Sequence, residues 1–113
     1  MAGPAQQLGD LEELVLLSVL RLGEAAYGAS VREDLATHAG RSVSISTIYV
    51  TLMRMEEKGL SRSWMGEPTG ERGGKAKRHF QATPDGVRAL EASRTVRARM
   101  WAGVPEEKGA HAR

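Results

Sequence analysis

Four basic side chains fall within seven residues of the chain. They are Arg72, Lys75, Lys77 and Arg78, and the residues between them are Gly73, Gly74 and Ala76. Because small residues let a backbone approach another surface closely, these cations could reach phosphate groups or a narrow minor groove of DNA. A solvated, flexible hairpin tip would have the same composition, so the choice depends on the elements that flank the segment.

A second group of candidate residues lies between Ser44 and Arg54, on a segment with helical periodicity. Ser44 is expected to cap this helix, where free N–H groups favour phosphate binding. The residues expected to face DNA bases are Ser46, Thr47, Val50 and Thr51. We expect Tyr49 and Arg54 to reach sugar–phosphate oxygens; the alternatives are half-buried packing for Tyr49 and a solvated charge for Arg54. Hydroxyl groups discriminate bases weakly, so water and DNA shape would share the specificity.

Catalytic chemistry has no matching constellation in the sequence. The chain has no cysteine, and His38, His79 and His111 are far apart, so we expect no metal site, no cofactor and no enzyme activity. His79 is expected to contact phosphate or to lie at the surface. Thr69 stands where a P-loop needs its first glycine, and Ala76 follows the lysine, so that motif is not met.

The charge distribution is more informative than the total charge. Sixteen Lys and Arg against 14 Asp and Glu leave a net charge of only +2 on 113 residues, a length that fits one domain. Residues 1–40 hold six acidic and two basic side chains, whereas residues 61–79 hold five basic and two acidic ones. The basic segment is therefore a local electrostatic feature that the average conceals.

The chain is expected to be a cytoplasmic protein with no membrane partner. It has no cysteine, and its first eight residues lack the basic stretch of a signal peptide. The longest apolar run, residues 14–20, is interrupted by Ser18 and is too short to span a bilayer.

Hydrophobic periodicity predicts three helices in the first half of the chain. The first is expected to begin at Asp10, with Asp10 and Glu13 as a capping box, and to end at Gly23. The second follows Gly28 and ends at Gly40, and the third runs from Ser44 to Gly59. The second is expected to turn Val31, Leu35 and Ala36 inward and Arg32, Glu33 and Asp34 outward. The core stripe of the third is Ile48, Leu52 and Met55.

After the third predicted helix, the spacing of apolar residues changes from a helical to a strand-like period. Residues 60–65 and 78–82 alternate weakly as strands, and a polar loop of 12 residues joins them. Thr83 and Pro84 are a typical helix start, and the last helix is expected to reach about Trp101.

This order predicts a mainly α (α+β) fold, a winged helix-turn-helix. The apolar stripe of the last helix has little else to pack on, which predicts a C-terminal dimerisation helix. We expect a flexible tail over residues 1–9, a DNA-binding domain over 10–83, the dimerisation helix over 84–101 and a disordered tail over 102–113.

Four segments resemble the PadR family of bacterial transcriptional regulators: residues 11–17, 26–28, 43–60 and 73–86. The resemblance covers about residues 8–101 and is closest to the short subgroup, which has a single C-terminal helix. It implies a winged-helix repressor that dimerises through that helix, with the first helix contributing. It also implies a third helix in the major groove and a wing at the adjacent minor groove.

In some short members of the family, aromatic residues of the last helix floor a drug-binding cavity at the dimer interface. Arg94 and Arg97 occupy the corresponding turns of this chain, with Trp101 one turn further on. The departure argues against a hydrophobic drug pocket, and we expect Trp101 to cap the dimer interface rather than stack on a ligand. The sequence does not identify a small-molecule effector.

Apolar residues in excess of one small core also indicate a homodimer. The expected interface residues are Leu14, Val15, Leu17, Val87, Leu90, Val96, Met100 and Trp101. Burying apolar surface stabilises by about 25 cal/mol per Å², which favours pairing of these surfaces.

The leading hypothesis is a homodimeric repressor of an inverted-repeat operator in double-stranded DNA, near its own promoter. One alternative is a winged-helix module that binds protein, with the wing as its docking loop. Another is a different winged-helix repressor family, such as the MarR or penicillinase-repressor groups.

Overall fold

The structure is a computed structural model of the chain, and it describes residues 7–67 and 76–106. The order of its elements is the one that the sequence predicts for a winged helix-turn-helix. The helices are α1 (Asp10–Leu22), α2 (Gly28–His38), α3 (Ile45–Glu57) and α4 (Pro84–Ala102), and the strands are β1 (Ser61–Met65) and β2 (Arg78–Ala82). A short 3₁₀ turn, Gly23–Ala25, joins α1 to the segment before α2.

The start of α1 differs from the prediction. Gly9, not Asp10, is the N-cap, and its N–H donates to Glu12 Oε1 over 2.8 Å. A carboxylate reaches back to the N-cap from the third helical position, and Glu12 is the residue at that distance. The hydrogen bond from Gly9 holds the pKa of Glu12 below its usual value. Asp10 instead pairs with Arg41 at 3.4 Å.

The other helix boundaries agree with the prediction within one or two residues. Gly23 ends α1 with φ = 60°, a left-handed conformation that glycine adopts easily. Ser44 caps α3, because its Oγ accepts from the N–H of Thr47 over 3.1 Å. Thr83 caps α4 in the same way, accepting from the N–H of Gly86 over 3.1 Å.

The core lies between α1, α2, α3 and the inner face of the strands. The predicted stripe of α3, Ile48, Leu52 and Met55, is fully buried. On α2, Val31 and Leu35 are buried as predicted, whereas Ala36 is exposed. One residue turns a helix by about 100°, so the position after Leu35 leaves the core face.

The two strands form an antiparallel hairpin, and β2 contributes a core residue and a further backbone pairing. Ser63 lies opposite Phe80, and Trp64 opposite His79. The Phe80 side chain is 1% exposed, and its N–H donates to the carbonyl of Ala26 over 3.0 Å. The segment before α2 therefore pairs with β2 on the side opposite to β1.

The first half of α4 is partly buried against the rest of the domain, whereas the second half is exposed. Gly86, Ala89 and Leu90 are buried, whereas residues 94–106 are exposed. Thr83 Oγ1 also donates to the carbonyl of Gly59 over 2.6 Å. The direction of α4 is thus set at its start, beside the end of α3 and the beginning of β1.

A carboxylate of α2 joins that helix to α1. The prediction that Asp34 points outward is wrong, because its side chain is only 9% exposed. Its carboxylate accepts hydrogen bonds from Ser18 Oγ over 2.8 Å and from Arg21 Nε over 3.1 Å. The hydrogen bond from Arg21 holds the pKa of Asp34 below its usual value, and the one from Ser18 acts in the same direction. His38 Nδ1 lies 3.0 Å from the same carboxylate.

We expect Gly86→Ala to destabilise the protein by roughly 2 kcal/mol or more, although alanine is normally the better helix former. A Cβ at Gly86 would overlap the carbonyl oxygen of Leu60, which is backbone and cannot rotate away. The measurement is chemical denaturation. Gly103→Ala is the matched control, because its Cβ would have only ordinary contacts at 3.6 and 4.0 Å. Equal unfolding midpoints for the two variants would contradict the expectation.

We expect the carboxylate of Asp34 to stabilise the fold at neutral pH and to lose that effect in acid. A pKa that is lower in the folded chain gives stability that is present above the unfolded pKa, about 4, and lost as the pH falls through the folded value. Asp34→Asn should therefore cost about 1–2 kcal/mol at pH 7, and its deficit should shrink below pH 4. Urea denaturation from pH 7 to pH 3 measures this, with Glu33→Gln on the exposed face of α2 as control. A deficit that is constant with pH would disprove it.

Candidate nucleic-acid interface

The first turn of α3 carries a small network of exposed hydroxyl groups. Ser44 Oγ lies 3.1 Å from Ser46 Oγ and donates to Thr47 Oγ1 over 2.9 Å. All three residues are exposed, as are Val50 (51%) and Arg54 further along the helix. The structure thus leaves five of the predicted DNA-facing residues of α3 on one accessible surface.

Thr51 does not belong to that surface. It is 8% exposed, and its hydroxyl donates to the carbonyl of Thr47 over 2.7 Å. It lies three residues after Ile48, which places it on the buried side of the helix. The prediction that Thr51 faces bases is therefore corrected.

Tyr49 has the half-buried packing role that was one of its two interpretations. Its ring lies 5.5 Å from the ring of Phe80, tilted by 58°. Gly28 of α2 lies against this ring. A Cβ at residue 28 would lie only 3.1 Å from Tyr49 Cε2, so the close approach of α2 to the ring favours glycine there. Tyr49 therefore connects α3 to both α2 and the wing.

The predicted wing residues are only partly covered by the structure. Arg72, Gly73, Gly74 and Lys75 lie outside the described residues, whereas Lys77 and Arg78 lie within them. Lys77 is exposed, with its Nζ 4.2 Å from the centroid of the Tyr27 ring. This contact places a cation at the root of the wing, close to the start of α2.

Arg78 connects the wing to α3. Its Nη1 donates to Ser63 Oγ over 3.0 Å, and Ser63 Oγ donates in turn to Glu56 Oε1 over 2.8 Å. Arg78 is half-buried, so these contacts hold β1 and β2 against the end of α3. A phosphate contact by Arg78, as predicted, would have to compete with this arrangement.

A stack of rings at the base of the wing was not predicted from the sequence. Trp64 stacks on His79 with ring centroids 5.9 Å apart and planes at 14°, and Tyr27 contacts His79 edge-on at 6.0 Å. His79 Nδ1 also lies 3.2 Å from the carbonyl of Glu24. His79 thus has structural contacts at the base of the wing, and the phosphate or surface contact expected of it stays a prediction. The stack depends on the strand register that pairs Trp64 with His79, and the weak alternation of the two segments in the sequence does not give that register.

The residues expected at a dimer interface fall into three groups by exposure. Val15 is 0% exposed within the protomer, and Leu90 is 6% exposed. Neither side chain has free surface for a dimer contact, so the prediction that these two residues lie at the interface is wrong. Half-buried positions are Leu14, Leu17 and Val87. Well exposed positions are Val96, Met100 and Trp101, at 56%, 71% and 74%.

Arg97 forms an ion pair within the protomer. It donates to Glu13 Oε1 over 2.7 Å, and Ser93 Oγ donates to Glu13 Oε2 over 2.7 Å. The hydrogen bond from Arg97 holds the pKa of Glu13 below its usual value. This part of the α1–α4 surface is therefore polar, which disfavours an uncharged aromatic ligand there.

Within residues 7–67 and 76–106, no three His, Asp or Glu side chains come together to hold a metal ion. None of the helices in these ranges is long and apolar enough to cross a membrane.

The three-helix core, the two-stranded wing and the exposed start of α3 define a winged helix-turn-helix protein. The sequence matches the model of the PadR-like family of transcriptional regulators over residues 16–92, and the chain belongs to that family. This match confirms the resemblance seen in the sequence motifs. No curated protein matches the chain significantly.

Solved structures similar to this chain include three regulators of the family. A PadR family transcriptional regulator from Eggerthella lenta is 26% identical, with a TM-score of 0.64 over 92% of this chain and 88% of that one. A PadR-like regulator from Bacillus cereus is 23% identical, with a TM-score of 0.63 over 81% and 84% of the two chains. A PadR family regulator from Clostridium difficile is 19% identical, with a TM-score of 0.61 over 88% and 95%. The last two, at lower identity, support the fold alone.

Proposed function

We propose that this PadR-like regulator is a repressor that acts in the cytoplasm and binds an inverted-repeat operator as a homodimer. In this proposal α3 lies in the major groove, and the wing lies at the adjacent minor groove. The observation that carries it is the exposed hydroxyl surface at the start of α3, which lies in the same domain as the cationic wing segment.

The side chains of α3 suit two kinds of contact with DNA. Ser46, Thr47 and Val50 are exposed and would face base edges, with the apolar Val50 suited to a thymine methyl group. Ser44 and Arg54 would contact the sugar–phosphate backbone. Since hydroxyls accept and donate equally well, sequence preference would come from Val50, from bound water and from DNA shape together.

The wing supplies the sequence-independent attraction in this proposal. Residues 61–79 hold five basic and two acidic side chains, and Lys77 is an exposed cation at the wing root. Each phosphate that a cation neutralises releases counterions from the DNA, so the affinity should depend strongly on salt.

The second half of α4 supplies the dimer interface in this proposal. Val96, Met100 and Trp101 are exposed on a helix that extends beyond its own domain, and Val104 is 44% exposed just after it. Half-buried residues of α1, Leu14 and Leu17, offer a complementary apolar surface. A two-fold dimer would present two copies of α3, as an inverted repeat requires.

We expect the protein to bind the DNA upstream of its own gene with an affinity that falls ~10³–10⁵-fold between 50 and 200 mM salt, if 6–10 phosphates are neutralised. Fluorescence anisotropy with labelled fragments measures this. Thr47→Val should change the preference among operator variants, whereas Lys77→Ala should weaken binding to all of them alike.

Arg88→Ala is the control for the loss of one cation, because Arg88 pairs with Asp85 within α4 and is not among the residues proposed to contact DNA. Equal binding at both salt concentrations, or none to upstream DNA, would contradict the proposal. The second result would favour the alternative of a protein-binding module.

We expect Met100→Glu to convert the dimer to a monomer at micromolar concentration, because it places a charge in an apolar interface. Sedimentation equilibrium measures the mass directly. Thr95→Glu introduces the same charge well round the helix from Met100 and should leave the dimer intact. A monomeric unaltered protein would disprove the dimer.

A further inference from the structure

A cleft of about 680 Å³ lies between the end of α1 and the end of the wing hairpin that is remote from its loop. The residues of its lining that carry the argument are Leu20, Gly23, Glu24, Arg62, Trp64 and Gln81. None of them belongs to the proposed dimer interface or to the proposed DNA-reading surface of α3. Apart from the general charge of Arg62, the proposed function gives these residues no role.

The middle of the cleft is apolar and partly open to solvent. Leu20 is 44% exposed, and Trp64 is 45% exposed. One face of the Trp64 ring stacks on His79 with the planes at 14°, so the ring is held in one orientation. An apolar group of a ligand between Leu20 and Trp64 would remove apolar surface from water on both sides, which favours binding.

The wing side of the cleft carries a cation. The Nε of Arg62 donates to Gln81 Oε1 over 2.6 Å, and this bond leaves the other N–H groups of the guanidinium able to donate. Arg62 is exposed, and it forms no ion pair within residues 7–67 and 76–106. A guanidinium that is already held by a neighbour loses little freedom when it binds a carboxylate.

The opposite side of the cleft is negative. Leu20 in the last turn of α1 and its C-cap, Gly23, both line the cleft, so the negative end of the helix dipole lies at this wall. Glu24 follows directly, is exposed, and pairs with no cation in the described part of the chain. Both features favour a positively charged group of a ligand.

We propose that this cleft binds a free α-amino acid with an apolar or aromatic side chain. Its carboxylate pairs with Arg62, its ammonium lies between Glu24 and the end of α1, and its side chain packs between Leu20 and Trp64. An organic anion would instead bring a like charge near Glu24, and an uncharged ligand would use neither polar wall. The charges of the cleft therefore match a zwitterion. This inference goes beyond the proposed function and does not depend on DNA binding.

The test is an NMR titration of the full-length protein with L-phenylalanine as the probe. We expect a Kd of about 1 mM or lower. The indole N–H signal of Trp64 and the side-chain amide signals of Gln81 should shift, because both residues line the cleft. The chain has two tryptophans, and Trp101→Phe identifies which indole signal belongs to Trp64.

Two substitutions and two analogues of the probe separate the roles of the charges. Arg62→Gln and Glu24→Gln should each weaken the binding of L-phenylalanine about three- to fivefold, the size of a partly exposed ion pair. L-phenylalaninamide, which lacks the carboxylate, should respond only to Glu24→Gln. 3-Phenylpropionate, which lacks the ammonium, should respond only to Arg62→Gln.

The matched control variants are Arg32→Gln and Glu33→Gln. Both residues are exposed on α2 and neither lines the cleft, so these variants lose the same charges and should bind all three compounds like the unaltered protein. Unchanged unfolding midpoints verify that the variants are folded.

Three outcomes would overturn the inference. One is the absence of any shift at Trp64 up to about 10 mM L-phenylalanine, ten times the expected Kd. Another is equal affinity for L-phenylalanine and 3-phenylpropionate, because the ammonium would then make no contact. The third is an equal loss on Arg62→Gln for L-phenylalanine and its amide, since Arg62 would then not pair with the carboxylate. In each case the proposed function stands, because none of these measurements involves DNA.

Discussion

The burial of Phe80 is the interaction on which the arrangement of this protein depends. Successive residues of a strand point to opposite faces, so a buried Phe80 forces its neighbour His79 to the outer face of the wing. The same residue anchors β2 in the helical core and pairs with Ala26 before α2. The relative placement of the wing and α3, and hence the shape of the surface proposed to contact DNA, depends on this contact together with the hydrogen bonds from Arg78 through Ser63 to Glu56.

The ion pairs of the structure have a different role from the core. Glu13 holds Arg97 and Ser93, and Asp34 holds Arg21 and Ser18, so each carboxylate joins two helices. Apolar packing brings these helices together without fixing how they slide along each other. A hydrogen-bonded carboxylate accepts only one alignment, because its partners must lie at about 2.7–3.1 Å.

The sequence was sufficient to predict the order of the elements and most of their ends. Glycines in left-handed conformation and Ser and Thr caps are local signals, and the structure agrees with them at Gly23, Ser44 and Thr83. Two of the errors, Ala36 and Thr51, concern positions next to a correctly predicted core stripe. Ala36 follows the buried Leu35, and Thr51 precedes the buried Leu52. A step of one residue along a helix can move a side chain from the buried face to the exposed face, and sequence periodicity does not fix the limit between the two faces to one residue. Contacts between distant segments, such as Trp64 on His79, depend on the strand register, which periodicity alone does not give.

In the proposed homodimer, the geometry at the start of α4 would affect the spacing of the operator half-sites. This helix has 19 residues and is roughly 28 Å long at 1.5 Å per residue. Its direction is set by Thr83 on Gly59 and by the close approach of Gly86 to Leu60. If a helix of that length tilts by 10° about its first residue, its far end moves by about 5 Å. This displacement is larger than the ~3.4 Å step between neighbouring base pairs. In a dimer joined through the far ends of α4, the spacing of half-sites would therefore be encoded in these two contacts at the start of α4 rather than in α3 itself.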